Sequence, residues 1–254
     1  MSYTLKNHKM IAFEVTDKCD MKHLHPECPI NAQNYNMRHG PLDEERICKA
    51  IEEANALGFK GYIEFHYYCE PLLEKEMILN IIKRNKKNKF NLITNGRLLS
   101  RNIEENKFLK DFSIIIISCY DMEYMPFYEG LKKQYKNITI SKEDKLDNRL
   151  EFYNHPKHDT ATICGRPFFE LPIDHYGDVR LCCFDWKRTC VIGNINETSL
   201  TEVVNGDVYQ KILQRVMDQD KSELPFACRC CDQNSTEESV MFLNRLRLQN
   251  TKGE

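Results

Sequence analysis

Between residues 9 and 142 the sequence alternates between short, nearly continuous apolar runs and longer amphipathic stretches. No other feature constrains the fold as much. The apolar runs are KMIAFEVT (9–16), GYIEFHYY (61–68), FNLIT (90–94), FSIIIIS (112–118) and NITISK (137–142), with RLEFYN (149–154) read as a further closing strand. Between them, LDEERICKAIEEANALG (42–58) sets apolar residues at helical spacing, starts acidic and ends on Gly58. EKEMILNIIKRNKK (74–87) is acidic at its start and basic at its end, and shorter helices are expected near 101–110 and 123–135. Strands without polar alternation must be covered on both faces. Their regular exchange with helices therefore predicts parallel β/α units and an α/β fold.

Composition narrows the function. The 254 residues carry 36 basic and 38 acidic side chains, so no polybasic field speaks for nucleic acid. The longest apolar run, FSIIIISCY, is too short to cross a bilayer, and MSYTLKNHKM lacks the apolar segment of a signal peptide. The expectation is a cytoplasmic protein with neither a nucleic-acid nor a membrane partner. Twelve cysteines in such a reducing compartment point to metal or redox chemistry rather than a disulfide scaffold. Cys48 and Cys119 read as buried small side chains; the clustered cysteines do not.

Near residue 155 the pattern changes. A polar linker, NHPKHDTAT, leads into short strands around a turn in LPIDHYGDVRLCCFDW, then a helix over 199–218, the run CRCC and a last amphipathic helix over 236–249. Residues 156–254 hold seven of the twelve cysteines and read as a small α+β domain organised around metal, distinct from residues 1–155. Cys164, Cys182, Cys228 and Cys231 are four thiolates from three segments, enough for a tetrahedral zinc site or a four-iron cluster. Cys183 alternates to the other side of the strand from Cys182, and Cys190 and Cys230 are left over. A second constellation lies in KCDMKHLHPECPIN (18–31), where Cys19 and Cys28 bracket His23 and His25.

The order of segments is more specific than any one of them. EVTDKCD enters the first cysteine loop from a strand, FHYYCEPLL follows the second strand, and LITNG closes the third. CGRPFFELPIDHYGDVRLCCFDW, IGNI, SLTEVVNGDVYQKIL and the final cysteines complete the series. With these segments the chain resembles radical S-adenosylmethionine (SAM) enzymes carrying a Twitch- or SPASM-type auxiliary-cluster domain, most of all small dehydrogenases with one auxiliary cluster. The resemblance covers nearly the whole chain. It implies an open, partial parallel β/α barrel over 1–155 and a Twitch-like auxiliary domain over 156–254. It also implies two [4Fe–4S] clusters, one binding SAM and one auxiliary.

The implied reaction is reductive cleavage of SAM to a 5′-deoxyadenosyl radical, which takes hydrogen from a small-molecule or peptide substrate. Dehydrogenation is the expected net outcome, with an electron donor such as flavodoxin or ferredoxin. Tyr68, Cys69 and Glu70 stand where the family has Gly-Gly-Glu and are candidate SAM contacts, with Asn95 and Ser118. Ordinary structural readings stand beside them: a helix-start charge for Glu70, a turn residue for Asn95 and a strand-end residue for Ser118. Arg149 is a candidate contact for an anionic substrate, or a surface ion pair.

The cysteine loop departs from the family's C-x3-C-x2-C. Cys19 and Cys28 match its outer cysteines, but no cysteine lies between them. His25, three before Cys28, keeps the spacing of the middle ligand; His23, four after Cys19, keeps the other half. The third ligand is thus His25, His23, a distant thiol such as Cys69, or no protein group. Imidazole raises a cluster's potential relative to thiolate, which works against reducing SAM. A relative that has lost SAM cleavage and uses its iron–sulfur or zinc site for recognition is the alternative reading.

Overall fold

The computed structural model describes residues 4–33, 35, 37–143, 148–154, 164–218, 224–231 and 240–244. Five strands, β1 (Met10–Phe13), β2 (Tyr62–Glu64), β3 (Lys89–Thr94), β4 (Ile114–Cys119) and β5 (Ile138–Lys142), pair in parallel with each sequential neighbour. The crossovers run through α1 (Glu44–Ala56), α2 (Lys75–Arg84), a 3-10 helix at Ile103–Asp111 and α3 (Met125–Gln134). Asp43 starts α1 by accepting from the Arg46 N–H at 2.8 Å, and Glu44 and Glu45 add negative charge at the dipole's positive end. Ile47, Ile51 and Ala54 then fall on one buried face, which packs toward fully buried Ile11 and Ile63 of the sheet.

The sheet continues beyond β1 on its other side. β6 (Glu170–Ile173) joins β1 in parallel, and β7 (Asp178–Arg180) and β8 (Val191–Asn194) follow antiparallel. The resulting order is β5-β4-β3-β2-β1-β6-β7-β8, an open sheet with β5 and β8 at its edges. The sixth parallel strand therefore comes from the cysteine-rich segment. A four-residue helix α4 (Arg166–Phe169) precedes β6. The helix expected over 199–218 is divided at extended Gly206 into α5 (Leu200–Asn205) and α6 (Asp207–Asp218), and Ser199 and Glu202 form a reciprocal capping box at its start. A short α7 (Phe226–Cys230) carries the C-terminal cysteines.

One strand expectation is corrected. RLEFYN is not a closing strand; Arg149–Tyr153 forms a 3-10 helix. In a strand, adjacent side chains face opposite ways. Here Phe152 and Tyr153 meet edge-on at 5.0 Å and join one cluster with Trp186, an arrangement the helical turn provides. The linker from residue 155 and most of the final helix fall outside the described residues; 240–244, within them, are helical. Among the described residues no helix is long and apolar enough to cross a membrane.

Two glycines stand where no side chain fits, one at the start of β2 and one in the turn after β3 at the functional end. A Cβ on Gly61 would lie 2.3 Å from the Lys9 carbonyl oxygen where β1 and β2 begin their pairing. Gly96, in the LITNG turn, has φ +76°, and a Cβ there would meet Ile117 at 2.8 Å and the Tyr128 ring at 2.9 Å.

Candidate active site and auxiliary site

Parallel strands deliver their carboxyl ends to one rim, and β/α folds place their sites there. A cavity of about 460 Å³ occupies that rim. The loop after β1 supplies Cys19, His25 and Cys28, and the turn after β2 supplies His66, Tyr67, Tyr68, Cys69 and Glu70. Thr94 and Asn95 come from the end of β3, Ser118 and Tyr120 from β4, Glu143 from beyond β5, and Arg149 from the 3-10 helix. Every candidate named for the first site except His23 thus lines one cavity. His23 is exposed and lies outside the lining.

The cysteine loop is held by backbone acceptors. Asn31 Nδ2 donates to the carbonyls of Lys22 (3.0 Å), His25 (2.9 Å) and Pro26 (3.3 Å), and the Cys28 N–H donates to the His25 carbonyl at 3.0 Å. The His25 ring faces Tyr120, centroids 6.4 Å apart. Burial pushes the Cys19 thiol up to about 11, with Glu70, Asp20 and Cys28 adding to the rise, while the Met21 N–H opposes it. Cys28 is raised by burial and eased by the Ile30 N–H and Arg149. Each sulfur thus faces a backbone donor two residues on, and the two are close enough to repel as thiolates. Desolvated thiols that gain charge when a metal replaces the proton suit a cluster.

Glu70 has work inside the protein. One carboxylate oxygen accepts from Thr94 Oγ1 (2.6 Å) and the Leu72 N–H (3.0 Å), and the other from the Asn95 N–H (2.8 Å). Burial carries it up to about 7 despite these donors. Three accepted bonds leave one of the four lone-pair sites of the carboxylate unused. Asn95 is likewise engaged: Nδ2 donates to Asp20 at 2.6 Å, and Oδ1 accepts from the Arg97 N–H at 2.9 Å. Cys69 is buried, points at the Phe65 carbonyl (3.6 Å), and burial holds its thiol well up.

Two tyrosines join this cavity to the second cysteine set. Tyr67 Oη donates to the Cys182 carbonyl at 2.6 Å, and Tyr68 Oη donates to the Cys183 carbonyl. Their rings meet tilted, with centroids 4.3 Å apart, and the Arg149 guanidinium lies 5.2 Å above Tyr68 while Nη2 also donates to the Cys183 carbonyl at 3.2 Å. In the second set, the Cys182 thiol is driven well up by burial, then by its neighbours Cys183 and Cys228, with Cys164 also contributing. Cys228 is raised by burial, then by Cys164, Cys231 and Cys190. The four predicted thiols are therefore electrostatic neighbours, although three chain segments supply them. Cys230, in contrast, is buried among Tyr153, Trp186 and Ala227. Cys183 lies beside Arg166, whose Nη1 is 3.5 Å from its sulfur. Among the described residues no three or more His, Cys, Asp or Glu side chains are placed so as to hold one metal ion; what the four thiols share is desolvation and mutual charge, the chemistry a four-thiolate iron–sulfur cluster uses.

Sequence reasoning missed several groups at the site. His66, half-buried, has no cysteine spacing to mark it. Glu14, fully buried, accepts from the Tyr68 N–H (3.1 Å) and the His175 N–H (3.4 Å), and burial followed by the charge of Asp174 raises it to about 8. Arg180, also fully buried, donates to Asp174 at 3.1 Å and to the Asp185 carbonyl. Asp185 in turn accepts from Tyr153 Oη (2.7 Å) and the Thr189 and Cys190 N–H groups (both 2.8 Å), fixing the loop after Cys183. An isolated acid inside EVT or IDH carries no signal of burial.

Comparison with known proteins agrees with this picture. The SPASM family model, an iron–sulfur cluster-binding domain, matches residues 164–232. The S-adenosyl-L-methionine-dependent 2-deoxy-scyllo-inosamine dehydrogenase of Niallia circulans is 23% identical over 258 residues, 93% of this chain and 98% of that protein. The crystal structure of BtrN in complex with AdoMet and 2-DOIA matches with a TM-score of 0.71 at 20% identity, covering 91% of this chain and 95% of that one. anSMEcpe with bound AdoMet matches with a TM-score of 0.53 at 14% identity over 96% and 98% of the two chains. The resemblance read from the residues thus recurs in a domain model, a full-length relative and two structures, and the chain has the fold of radical SAM enzymes that carry an auxiliary iron–sulfur domain.

Proposed function

We propose that the chain is a radical SAM oxidoreductase that dehydrogenates its substrate. One observation carries the reading: every first-site candidate except His23 lines a single cavity at the carboxyl rim, and Tyr67 and Tyr68 tie that cavity to the segment carrying Cys182 and Cys183. Bound at these two places, a SAM-binding [4Fe–4S] cluster with SAM supplies a hydrogen-abstracting 5′-deoxyadenosyl radical, and an auxiliary [4Fe–4S] cluster supplies an electron acceptor that makes the net reaction an oxidation.

The protein's part is to hold and place. Cys19 and Cys28 hold the first cluster with His25 as third ligand, because His25 shares their cavity and His23 does not. Tyr68, Cys69, Glu70, Asn95 and Ser118 surround SAM, and the remaining lone pair of Glu70 faces its ammonium. Arg149 holds an electron-rich group of the substrate. Cys164, Cys182, Cys228 and Cys231 hold the auxiliary cluster. In this reading residues 1–155 form the SAM-cleaving core and 156–254 the auxiliary unit, working in the cytoplasm with a flavodoxin- or ferredoxin-type electron donor. The substrate is a small molecule or a peptide.

Anaerobic reconstitution tests it. The reading expects about eight irons per chain, the sum of two four-iron clusters, and 5′-deoxyadenosine on reduction with SAM. Zinc in place of iron, or two clusters without any 5′-deoxyadenosine, would overturn it.

A further inference from the structure

His66 lies two residues past β2 and lines the cavity. Its Nδ1 is 3.2 Å from the Cys69 carbonyl oxygen. That oxygen has no proton to give, so Nδ1 carries the proton and Nε2 keeps a lone pair. No described residue donates to Nε2. The ring stays neutral: burial, and then the nearby charge of Arg149, hold it down to about 4 against the Cys69 carbonyl. The cavity therefore holds an acceptor and a donor in its lining, since Arg149 faces the same space. Its side walls are rigid there, because Tyr67 and Tyr68 are anchored by their hydroxyls. At about 460 Å³ the cavity is near the small end of ligand pockets, roughly 300–1,000 Å³. SAM and a cluster must share it, which favours a compact substrate over a peptide.

We propose that His66 is a specificity-determining residue, whose Nε2 accepts a hydrogen bond from a hydroxyl or ammonium of a small polyol or aminopolyol while Arg149 donates to a neighbouring substrate oxygen. This rests on the radical-enzyme reading and adds the substrate class to it. A molecule with adjacent polar groups satisfies both residues at once. An analogue without the donor leaves a buried acceptor unpaired, the situation in which polar sites discriminate most strongly.

The experiment uses the anaerobically reconstituted protein with SAM and takes 2-deoxy-scyllo-inosamine as the probe, followed by calorimetry. His66→Phe removes the acceptor; His66→Gln can donate to the Cys69 carbonyl while presenting an oxygen in place of Nε2. The expected result is a loss of about tenfold or more in probe affinity for His66→Phe, one lost hydrogen bond with its unpaired partner, and substantial rescue in His66→Gln, with iron content equal in all three. Equal affinity across the three proteins, or no probe binding by a wild type that forms 5′-deoxyadenosine, overturns the role of His66. Loss of iron in both variants overturns it too, by making His66 a cluster ligand. A wild type that forms no 5′-deoxyadenosine refutes the enzyme reading itself, and the inference falls with it.

Discussion

The contact between the two sites makes a quantitative prediction. The Cys183 carbonyl accepts from two side chains, Tyr68 Oη and Arg149 Nη2. No other donor to it is found among the described residues. Tyr68→Phe removes one neutral hydrogen bond but leaves the carbonyl partnered by Arg149, a cost of about 1 kcal/mol. Arg149→Ala removes a charged hydrogen bond and the cation–π contact at 5.2 Å, a cost of about 2 kcal/mol, and leaves Tyr68 as the partner. The double variant leaves the carbonyl unpartnered. It should therefore cost about 1–2 kcal/mol beyond the sum of the singles. Urea unfolding of the metal-free protein reads this directly, because Trp186 is the only tryptophan and its Nε1 donates to the Arg149 carbonyl at 3.1 Å. The m-value should not change. Additivity within about 0.5 kcal/mol would refute the shared-acceptor argument.

Three further outcomes are expected. Burial raises Glu14 to about 8 and Glu70 to about 7, so their favourable contribution is complete below the unfolded carboxyl value and lost as pH rises through 7–8; burial lowers His8 and His66 to about 4, so theirs is complete above 6.5 and lost as pH falls toward 4. Stability of the metal-free protein should peak near about pH 5.5, and a urea-midpoint profile still rising at pH 8 would contradict this. Gly96→Ala should lower stability by more than about 2 kcal/mol, through its positive φ and the clash with Ile117 and Tyr128; a drop below about 1 kcal/mol would show that the turn relaxes. Cys231→Ser should remove about four irons, one cluster's worth, whereas Cys230→Ser should retain full iron; likewise His25→Ala should lower iron content and His23→Ala should not. Iron analysis decides both pairs.

The parallel core was legible because short apolar runs exchange regularly with amphipathic stretches, and α1 carries its own start signal in Asp43. What the sequence misassigned has a local cause. RLEFYN alternates like a strand, yet Phe152 and Tyr153 serve the same aromatic cluster, a tertiary demand that periodicity does not record. The cysteine groupings could be proposed from their spacing together with the resemblance. His66 could not be, since its role comes from a carbonyl three residues on and a cavity built by distant strands. Nor did the sequence predict that β6 would pair with β1, because a parallel neighbour can lie anywhere along the chain.

That pairing explains why one buried acid can serve both sites. β1 ends next to β6, and the Glu14 N–H donates to the Ile173 carbonyl at 2.9 Å, continuing the β1–β6 ladder by one residue. The Glu14 side chain then takes the Tyr68 N–H from the turn after β2 and the His175 N–H from the turn after β6. Three strand ends therefore meet at one carboxyl group. β1 leads into the Cys19 loop, β2 into the Tyr67–Tyr68 pair, and β6 through β7 into Cys182. A charged carboxylate at that point would face Asp174 without solvent; raised to about 8, it remains largely protonated at neutral pH. The neutral form still accepts both N–H groups and avoids the repulsion. The relative placement of the two thiol sets thus depends on hydrogen bonds at the carboxyl ends of adjacent strands.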